Sequence, residues 1–479
     1  MVKNGKDRKV APRVPKGFRD YPPEEEIARQ ILIEKTRTVF ERYGYLPLQT
    51  ASLEFAEALL GPHYNADNLK ELFGFTGPED ADIALRYEFT LSLARYVAGN
   101  PHLSLPFRRY QYGNVWRVDK PGPGRFREFM QFDFDIVGTA SMLADAEIIA
   151  VMVSTLDYLG IKNCVVRYSN RKLINGLAAF AGISPERARD VFRVIDKLEK
   201  QGREAVILEL GPGRTDRSGD KIPGLHLTDR QISMLTEFLD LALSKGDDIL
   251  TDVEKLLGHL EVSNEGIKEL CQIREFLDQM NVPSEKAKID VTIVRGLGYY
   301  TGPVYETTFL DLPDYGSVFS GGRYDNLVGR FSNRSIPATG SSFGVDRMLA
   351  ALIALKAIEL KESTAEVLVT TMDKTRMKDY IEIVGNIRDA GINAELFVGD
   401  TKNINKQLKY ADRIGIPVAV IAGSDEFEGG MITVKDLRLG REKSKEVADR
   451  DEWLKAEEIQ VTIKRVDLLD YLAKILNKD

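Results

Sequence analysis

Apolar and polar positions change their spacing several times along the chain, and each change marks an element. Pro22 and Pro23 are followed by Glu24, Glu25 and Glu26. Prolines ahead of an acidic first turn predict a helix start. The helix should run to about Tyr43 with Ile27, Ile31, Val39 and Phe40 on or near one stripe, and a strand should follow over residues 45–49. Between residues 107 and 138 the period shortens to two. Met130, Phe132, Phe134 and Ile136 share one parity, and Arg127, Gln131, Asp133 and Asp135 share the other. That alternation predicts a strand with one face on a core and one polar face, and Arg117 near the end of a preceding strand can reach the polar face. The connection between the two strands, DKPGPGR at residues 119–125, is rich in turn formers.

Residues 145–160 read as a helix, and residues 166–288 mix helices with polar loops such as GPGRTDRSGDKIPG, where no chemistry is legible. Strand and glycine signals return over residues 291–310, a glycine turn is expected at 320–327, and a glycine-rich approach leads into a long helix over 340–355. Sheet, insert, sheet describes one domain interrupted by another. Beyond a charged linker at residues 358–365, strands (EVLVTT, AELFV, PVAVIAG, MITVKDL) alternate with helices. This predicts a separate α/β domain with parallel strands.

The length of 479 residues suits about three domains. Apolar residues at 43% and charged residues at 29% indicate a soluble globular chain. A net charge of -7 excludes a generally basic coat for nucleic acid, though not a local basic patch. Two distant cysteines, Cys164 and Cys271, imply no disulfide framework and suit a reducing compartment. The four histidines, none at ligand spacing, argue against a Cys/His zinc site. No apolar run approaches the roughly 20 residues of a membrane helix. The basic N-terminus, residues 1–17 within an arm expected over 1–20, lacks the apolar segment of a secretory signal and reads as a solvated tail, with an organelle address as the alternative.

Two motifs fail their chemistry. Gly340-Ser341-Ser342-Phe343-Gly344 matches a nucleophile elbow, but such a hydrolase needs a histidine after the serine, and the last one here is His259. Neither a G-x-x-x-x-G-K-[ST] loop nor a G-x-G-x-x-G turn after a strand is present. What survives is a set of arginines: Arg117, Arg125 and Arg127 around the hairpin loop, Arg295 in a glycine-rich turn and Arg347 at a helix start. Guanidinium groups bind phosphate bidentately and spread its charge.

Arginines beside an antiparallel polar sheet face resemble the class II aminoacyl-tRNA synthetases, and the details resemble the histidyl-tRNA synthetase family, particularly its alphaproteobacterial branch. LRYEFTLSLARY (85–96) resembles its amino-acid-binding segment and VWRVDKPGPGRFREFMQFDFDIVG (115–138) its motif 2. RGLGYYTGPVYE (295–306) and GGRYDNL (321–327) resemble its two histidine-specific motifs, and FGVDRMLAAL (343–352) its motif 3. The resemblance implies an α+β fold: an antiparallel-sheet catalytic domain over 1–165 and 289–357, an inserted domain over 166–288, and a C-terminal α/β anticodon-binding domain over 366–479. It also implies a cytoplasmic homodimer, with the helix and strand over residues 24–50 as the contact. That dimer activates histidine with ATP and Mg2+ and charges tRNA(His), with no membrane association and no metal fixed by protein side chains alone.

By the same resemblance Glu88, Thr90 and Gln131 would hold the substrate α-amino group. Asp135 with Tyr299, Tyr300 and Tyr324 would line the imidazole pocket. Arg117 would contact the α-phosphate and Arg347 the ATP tail, with Asp119, Arg125 and Arg127 assisting from the loop. Arg295 would act at the α-phosphate and beside the histidine, where this family uses an arginine in place of a metal. The chain departs from the family pattern at Ala51, Asp119, Asp135 and Gly298, where proline, glutamate, glutamate and an acid are expected. A competing reading on the same scaffold is the non-catalytic regulatory subunit of ATP phosphoribosyltransferase, which lacks the last domain and erodes the arginines.

Overall fold

A computed structural model of the chain describes residues 10–78, 80–122, 124–216, 219–243, 249–293, 298–312, 315–358, 360–438 and 460–476. They fall into two compact units, one of residues up to 20 with 31–357 and the other of 21–30 with 358–479. The first nine residues of the expected N-terminal arm lie outside the described residues.

Helix α1 spans Pro23–Arg42 and begins, as its sequence predicts, with three glutamates in the first turn. Its buried stripe is displaced from the expected one: Ala28, Leu32, Thr36, Val39 and Phe40 are buried, whereas Ile31 is 38% exposed. Phe40 fixes that rotation, because its ring packs at 4.9 Å from Phe132 and 4.5 Å from Phe134.

The larger unit is organised by a sheet of eight strands. Strands β1 (Leu46–Pro47), β5 (Phe107–Trp116) and β6 (Glu128–Val137) form one side. A separate three-stranded sheet comprises β2 (Leu53–Phe55), β3 (Gly74–Thr76) and β4 (Asp82–Leu85). Helix α2 (Thr90–Gly99) precedes β5, and helix α3 (Met142–Tyr158) follows β6, with Ser141 Oγ accepting from the Leu143 N–H at 3.3 Å as its cap. After β7 (Cys164–Asn170) the chain leaves the sheet through helix α4 (Arg171–Phe180), a hairpin of β8 (Gly213–Thr215) and β9 (Lys221–Pro223), and helix α5 (Glu261–Gln279). It returns through β10 (Ala287–Ile289), β11 (Pro303–Phe309), β12 (Phe319–Arg323) and β13 (Ala338–Gly344), then enters helix α6 (Val345–Ala354). The strand order is β1-β5-β6-β13-β12-β11-β7-β10, antiparallel except at the two parallel ends, β1 with β5 and β7 with β10.

Two expectations need correction. The expected boundary of the insert at residue 166 falls inside β7, which is hydrogen-bonded to β11, so the excursion from the sheet starts at Arg171. Where a glycine turn was expected, Ser320–Arg323 form part of a central strand. Its glycines answer a close approach: a Cβ on Gly321 would lie 2.1 Å from the Gly340 carbonyl oxygen, and one on Gly322 2.7 Å from the Pro303 carbonyl oxygen.

The alternation in β6 is realised. Phe132, Phe134 and Ile136 are buried, the two rings against the aromatic layer of Phe40 and Tyr45. The polar parity is buried as well, with Gln131 at 8% and Asp133 and Asp135 at 3% exposure, so it is no water-facing sheet surface.

The smaller unit contains β14 (Val367–Val369), α7 (Met377–Asp389), β15 (Ala394–Leu396), α8 (Ile404–Arg413), β16 (Val418–Ile421), α9 (Ser424–Gly429), β17 (Met431–Asp436), β18 (Gln460–Lys464) and α10 (Leu468–Ile475). Val367 and Val369 pack with Tyr380 and Ile383 of α7 and Leu472 of α10, while Leu368 packs with Ala411 of α8. The sheet, ordered β15-β14-β16-β17-β18, is therefore covered on both faces. It is mixed rather than parallel, because β17 and β18 run antiparallel to their neighbours. The link from β16 to β17 holds only the short helix α9, and a parallel crossover needs a dozen or more residues.

Gly321→Ala should destabilise the larger unit by about 1–3 kcal/mol, since only backbone movement can admit the methyl group. Gly385→Ala, at a position in α7 with nothing within 4 Å of the new Cβ, should stabilise the smaller unit by up to about 1 kcal/mol. Thermal unfolding followed by calorimetry checks both signs.

Candidate active site

The polar parity of β6 forms the floor of a cleft of about 290 Å³. Register sets what stands beside each floor residue. Asp135 lies between Arg109 on β5 and Gly340 on β13, Asp133 between Gln111 and Ser342, and Gln131 between Gly113 and Gly344. A Cβ at position 340 would come within 2.1 Å of Asp135 Oδ1, so glycine there gives the carboxylate its room.

Asp135 is held from two sides. Tyr324 OH donates to Oδ1 at 2.5 Å, and Arg109 Nη2 forms an ion pair with Oδ2 at 2.7 Å. Burial pushes the Asp135 carboxyl up, opposed by Arg109 and by the Tyr324 hydroxyl. Asp133 is pushed up to about 7, chiefly by burial, again opposed by Arg109 and by its hydrogen bond from Ser342. Ser342 Oγ donates to Asp133 Oδ1 at 2.6 Å and accepts from Gln131 Nε2 at 2.6 Å. Gln131 Oε1 is buried and has no hydrogen-bond partner among the described residues.

Glu88 stands just before α2, and its Oε2 accepts from Tyr299 OH at 2.7 Å. Burial raises its pKa; the Tyr299 hydroxyl, the Arg117 charge and the Leu91 backbone N–H oppose this. Tyr299 lies edge-on to Tyr300 and Tyr324, with ring centroids 5.0 and 5.9 Å away. Arg117 donates through Nε to the Tyr87 carbonyl at 3.1 Å and lies over the Phe129 ring, while Arg347, in the first turn of α6, donates to the Ser317 carbonyl at 2.6 Å.

The cleft thus brings together Glu88, Thr90, Arg117, Gln131, Asp135, Tyr299, Tyr300, Tyr324 and Arg347 of the residues expected from sequence. Three others do not line it. Arg125 pairs with Asp119 at 2.8 Å, and Arg127 donates to the carbonyls of Asp119 and Lys16 at 3.2 and 3.4 Å, so these side chains brace the loop and tie it to the N-terminal segment. Arg295 lies outside the described residues. Sequence reasoning overlooked Arg109, Asp133, Glu306 and Ser342. Asp133 carried a signal in the polar parity of its strand, Glu306 ends the motif-like segment 295–306 and Ser342 lies in the elbow-like segment 340–344, but Arg109 carried none, because Phe107 and Val115 share its parity and Arg108 lies on the other. Ser342 belongs to a regular strand facing Asp133, which disposes of the nucleophile-elbow motif. Among the described residues no group of three or more His, Cys, Asp or Glu is arranged to hold a metal ion.

Comparisons with known proteins agree along the full chain. The family described as Histidyl-tRNA synthetase matches residues 17–348, and the Anticodon binding domain matches residues 366–474. The chain is 42% identical to the histidine–tRNA ligase of Cereibacter sphaeroides, with 100% of both chains covered. It is 42% identical to that of Paracoccus denitrificans, over 98% of this chain and 99% of the relative. The crystal structure of histidyl-tRNA synthetase from Nostoc sp. PCC 7120 superposes with a TM-score of 0.80 at 30% identity, covering 98% of this chain and 100% of that one. With the antiparallel sheet, its buried polar floor and a matched anticodon-binding domain all present, the chain belongs to the histidyl-tRNA synthetase family.

Proposed function

We propose that the cleft joins L-histidine to ATP and that the chain, a histidine–tRNA ligase, passes the histidyl group to tRNA(His). The observation that carries this reading is Gln131 Oε1, a buried acceptor without a donor in a cleft that also holds Glu88, Asp135, Arg117 and Arg347. An unpaired buried acceptor costs about 1–3 kcal/mol, and a substrate ammonium recovers it. Arginines in the same cleft suit phosphate. Glu88, Thr90 and Gln131 take the α-ammonium group, and Asp135 with Tyr299, Tyr300 and Tyr324 lines the imidazole. A site built to hydrogen-bond a substrate N–H rejects analogues lacking it by about 10⁴-fold or more.

Adenylation needs no protein nucleophile. The histidine carboxylate oxygen attacks the α-phosphorus, the bond to the β-phosphate breaks, and pyrophosphate leaves. The protein aligns the attack and neutralises charge on the phosphoryl oxygens, the work of Arg117, Arg347 and, by its motif, Arg295. Asp119, Arg125 and Arg127 exchange their mutual contacts for ATP. The terminal ribose hydroxyl of tRNA then attacks the carbonyl carbon and AMP leaves. Mg2+ arrives with ATP as part of the substrate. The setting is the cytoplasm, where tRNA and ATP meet; no helix among the described residues is long and apolar enough to cross a membrane. The matched anticodon-binding domain and the two cleft arginines favour this reading over the regulatory subunit.

The working form is a homodimer. Supporting this, one face of the small sheet carries an uncovered apolar row: Phe55 and Phe75 flank Ile83, and Leu53 faces Leu85. Leu53, Phe55 and Phe75 are 42%, 54% and 47% exposed. A neighbouring copy would cover this face, which extends the contact expected from residues 24–50.

Pyrophosphate–ATP exchange should depend on histidine alone among the twenty amino acids, and Arg117→Ala should lower it by about 10²–10³. Near-native exchange would remove Arg117 from the phosphate. Sedimentation should give a dimer of the 53.8 kDa chain; a stable monomer at micromolar concentration would contradict the assembly. The third prediction concerns Asp133, whose carboxyl is raised from 3.8 to about 7. Between those values the folded chain holds a proton that the unfolded chain has released. Its contribution to stability therefore falls as pH rises from about 4 to about 7 and is level above. Asp133→Asn should flatten that part of the stability–pH curve, and melting at pH 5 and pH 8 measures it.

A further inference from the structure

Gln131 can present either its carbonyl oxygen or its amino group to a ligand, and a half-turn of the amide exchanges them. Only the oxygen can receive an ammonium. The neighbouring strand supplies what decides between the two. Ser342 has one hydroxyl proton, and that proton is directed at Asp133 Oδ1, 2.6 Å away. While Asp133 is ionised that proton is committed, so Ser342 Oγ can only accept, and the group that meets it at 2.6 Å must be the Gln131 amino group. The oxygen Oε1 is thereby left facing away from Ser342, buried and without a donor among the described residues.

The three side chains sit on adjacent strands at neighbouring register positions. Asp133 is directly opposite Ser342, and Gln131 is opposite Gly344, two residues further along β13. The glycines at 113 and 344 on either side of Gln131 supply no side chain that could hydrogen-bond the amide. Gln111, the other neighbour of Asp133, is occupied with Thr50 in a reciprocal pair of hydrogen bonds at 3.0 and 3.2 Å. Among these register neighbours only Ser342 both reaches the Gln131 amide and passes its own proton to a carboxylate.

We infer that Asp133 and Ser342 form a positioning relay that locks the Gln131 amide with its oxygen toward the ligand, and so make the cleft selective for a substrate bearing a free α-amino group. The inference rests on the assignment of Gln131 to the histidine α-ammonium group. Neither Asp133 nor Ser342 needs to touch the amine. Without the carboxylate, the serine proton is free to turn toward Gln131 Oε1, the amide reverses, and an N–H faces the ammonium.

The test uses the full-length protein with ATP at pH 8, where Asp133 is ionised, and reads the KM for histidine by pyrophosphate exchange. Its companion probe is 3-(imidazol-4-yl)propanoate, which has the ring and carboxylate of histidine without the amine, used as a competitive inhibitor. Ser342→Ala and Asp133→Ala should each raise the histidine KM by about tenfold or more, the loss of one charge-assisted hydrogen bond. The inhibition constant of the amine-free probe should move by less than about twofold. Ser342→Thr, which keeps the hydroxyl, should restore the histidine KM. The double variant should cost little more than either single one, because both break one chain. An unchanged histidine KM in both single variants, with Gln131→Ala still raising it, overturns the relay and leaves the amine assignment standing. A histidine KM insensitive to Gln131→Ala overturns the assignment and the relay together. Equal weakening of histidine and the amine-free probe indicates general damage to the cleft and also overturns the relay.

Discussion

A carboxylate buried in the middle of a sheet either gains a cation in the same layer or is pushed toward its protonated form, and for Asp135 the cation is Arg109, directly opposite on β5 and itself fully buried. Their ion pair at 2.7 Å is the contact around which the cleft floor is arranged. Removing one member of such a pair costs about 3–5 kcal/mol, because the other charge is left uncompensated. The remaining space belongs to Gly340 on the opposite strand, whose missing side chain admits the carboxylate. Arginine, aspartate and glycine at one level of three strands thus produce a charged group that is fixed, desolvated and open to a ligand. One level along, Gln111, Asp133 and Ser342 repeat the device with neutral flanks, and the carboxyl there is pushed up to about 7.

A second buried pair anchors the rest of this unit. Arg323 on β12 donates through Nε to Asp145 of α3 at 3.1 Å and reaches the carbonyls of Thr139 and Ser141 at 3.0 and 3.2 Å. Tyr305 OH donates to the same carboxylate and lies 2.8 Å from Thr339 Oγ1. Three neighbouring strands are therefore tied to the N-terminal turns of one helix through a single acid.

The two units use burial differently. In β14 all three residues are apolar and buried, with alternate side chains supplying cores on opposite faces. In β6 both faces are also buried, but one is made of carboxylates and an amide. Polar groups on a buried face cost free energy unless they are paired, and those left partly unpaired mark the surface that a ligand completes. The same distinction separates a sheet that serves as scaffold from one that serves as a site.

The sequence by itself determined the alternation of β6, the hairpin around residues 119–125, the helix starting at Pro23 and the alternation of strand and helix after residue 365. These follow from local periodicity and from proline, glycine and acid signals that act within a few residues. The motifs also named most of the residues that meet in the cleft. Only the tertiary structure decided that the polar face of β6 is buried, that Arg109 is the partner of Asp135, and that Ser342 joins Asp133 to Gln131 across more than two hundred residues of chain. It also turned the first half of the expected glycine turn, residues 320–323, into a strand and the expected parallel sheet into a mixed one. Periodicity assigns a side chain to a face of its own strand. Which strand lies alongside, and in what register, is set by packing between distant segments, and no local pattern carries that information.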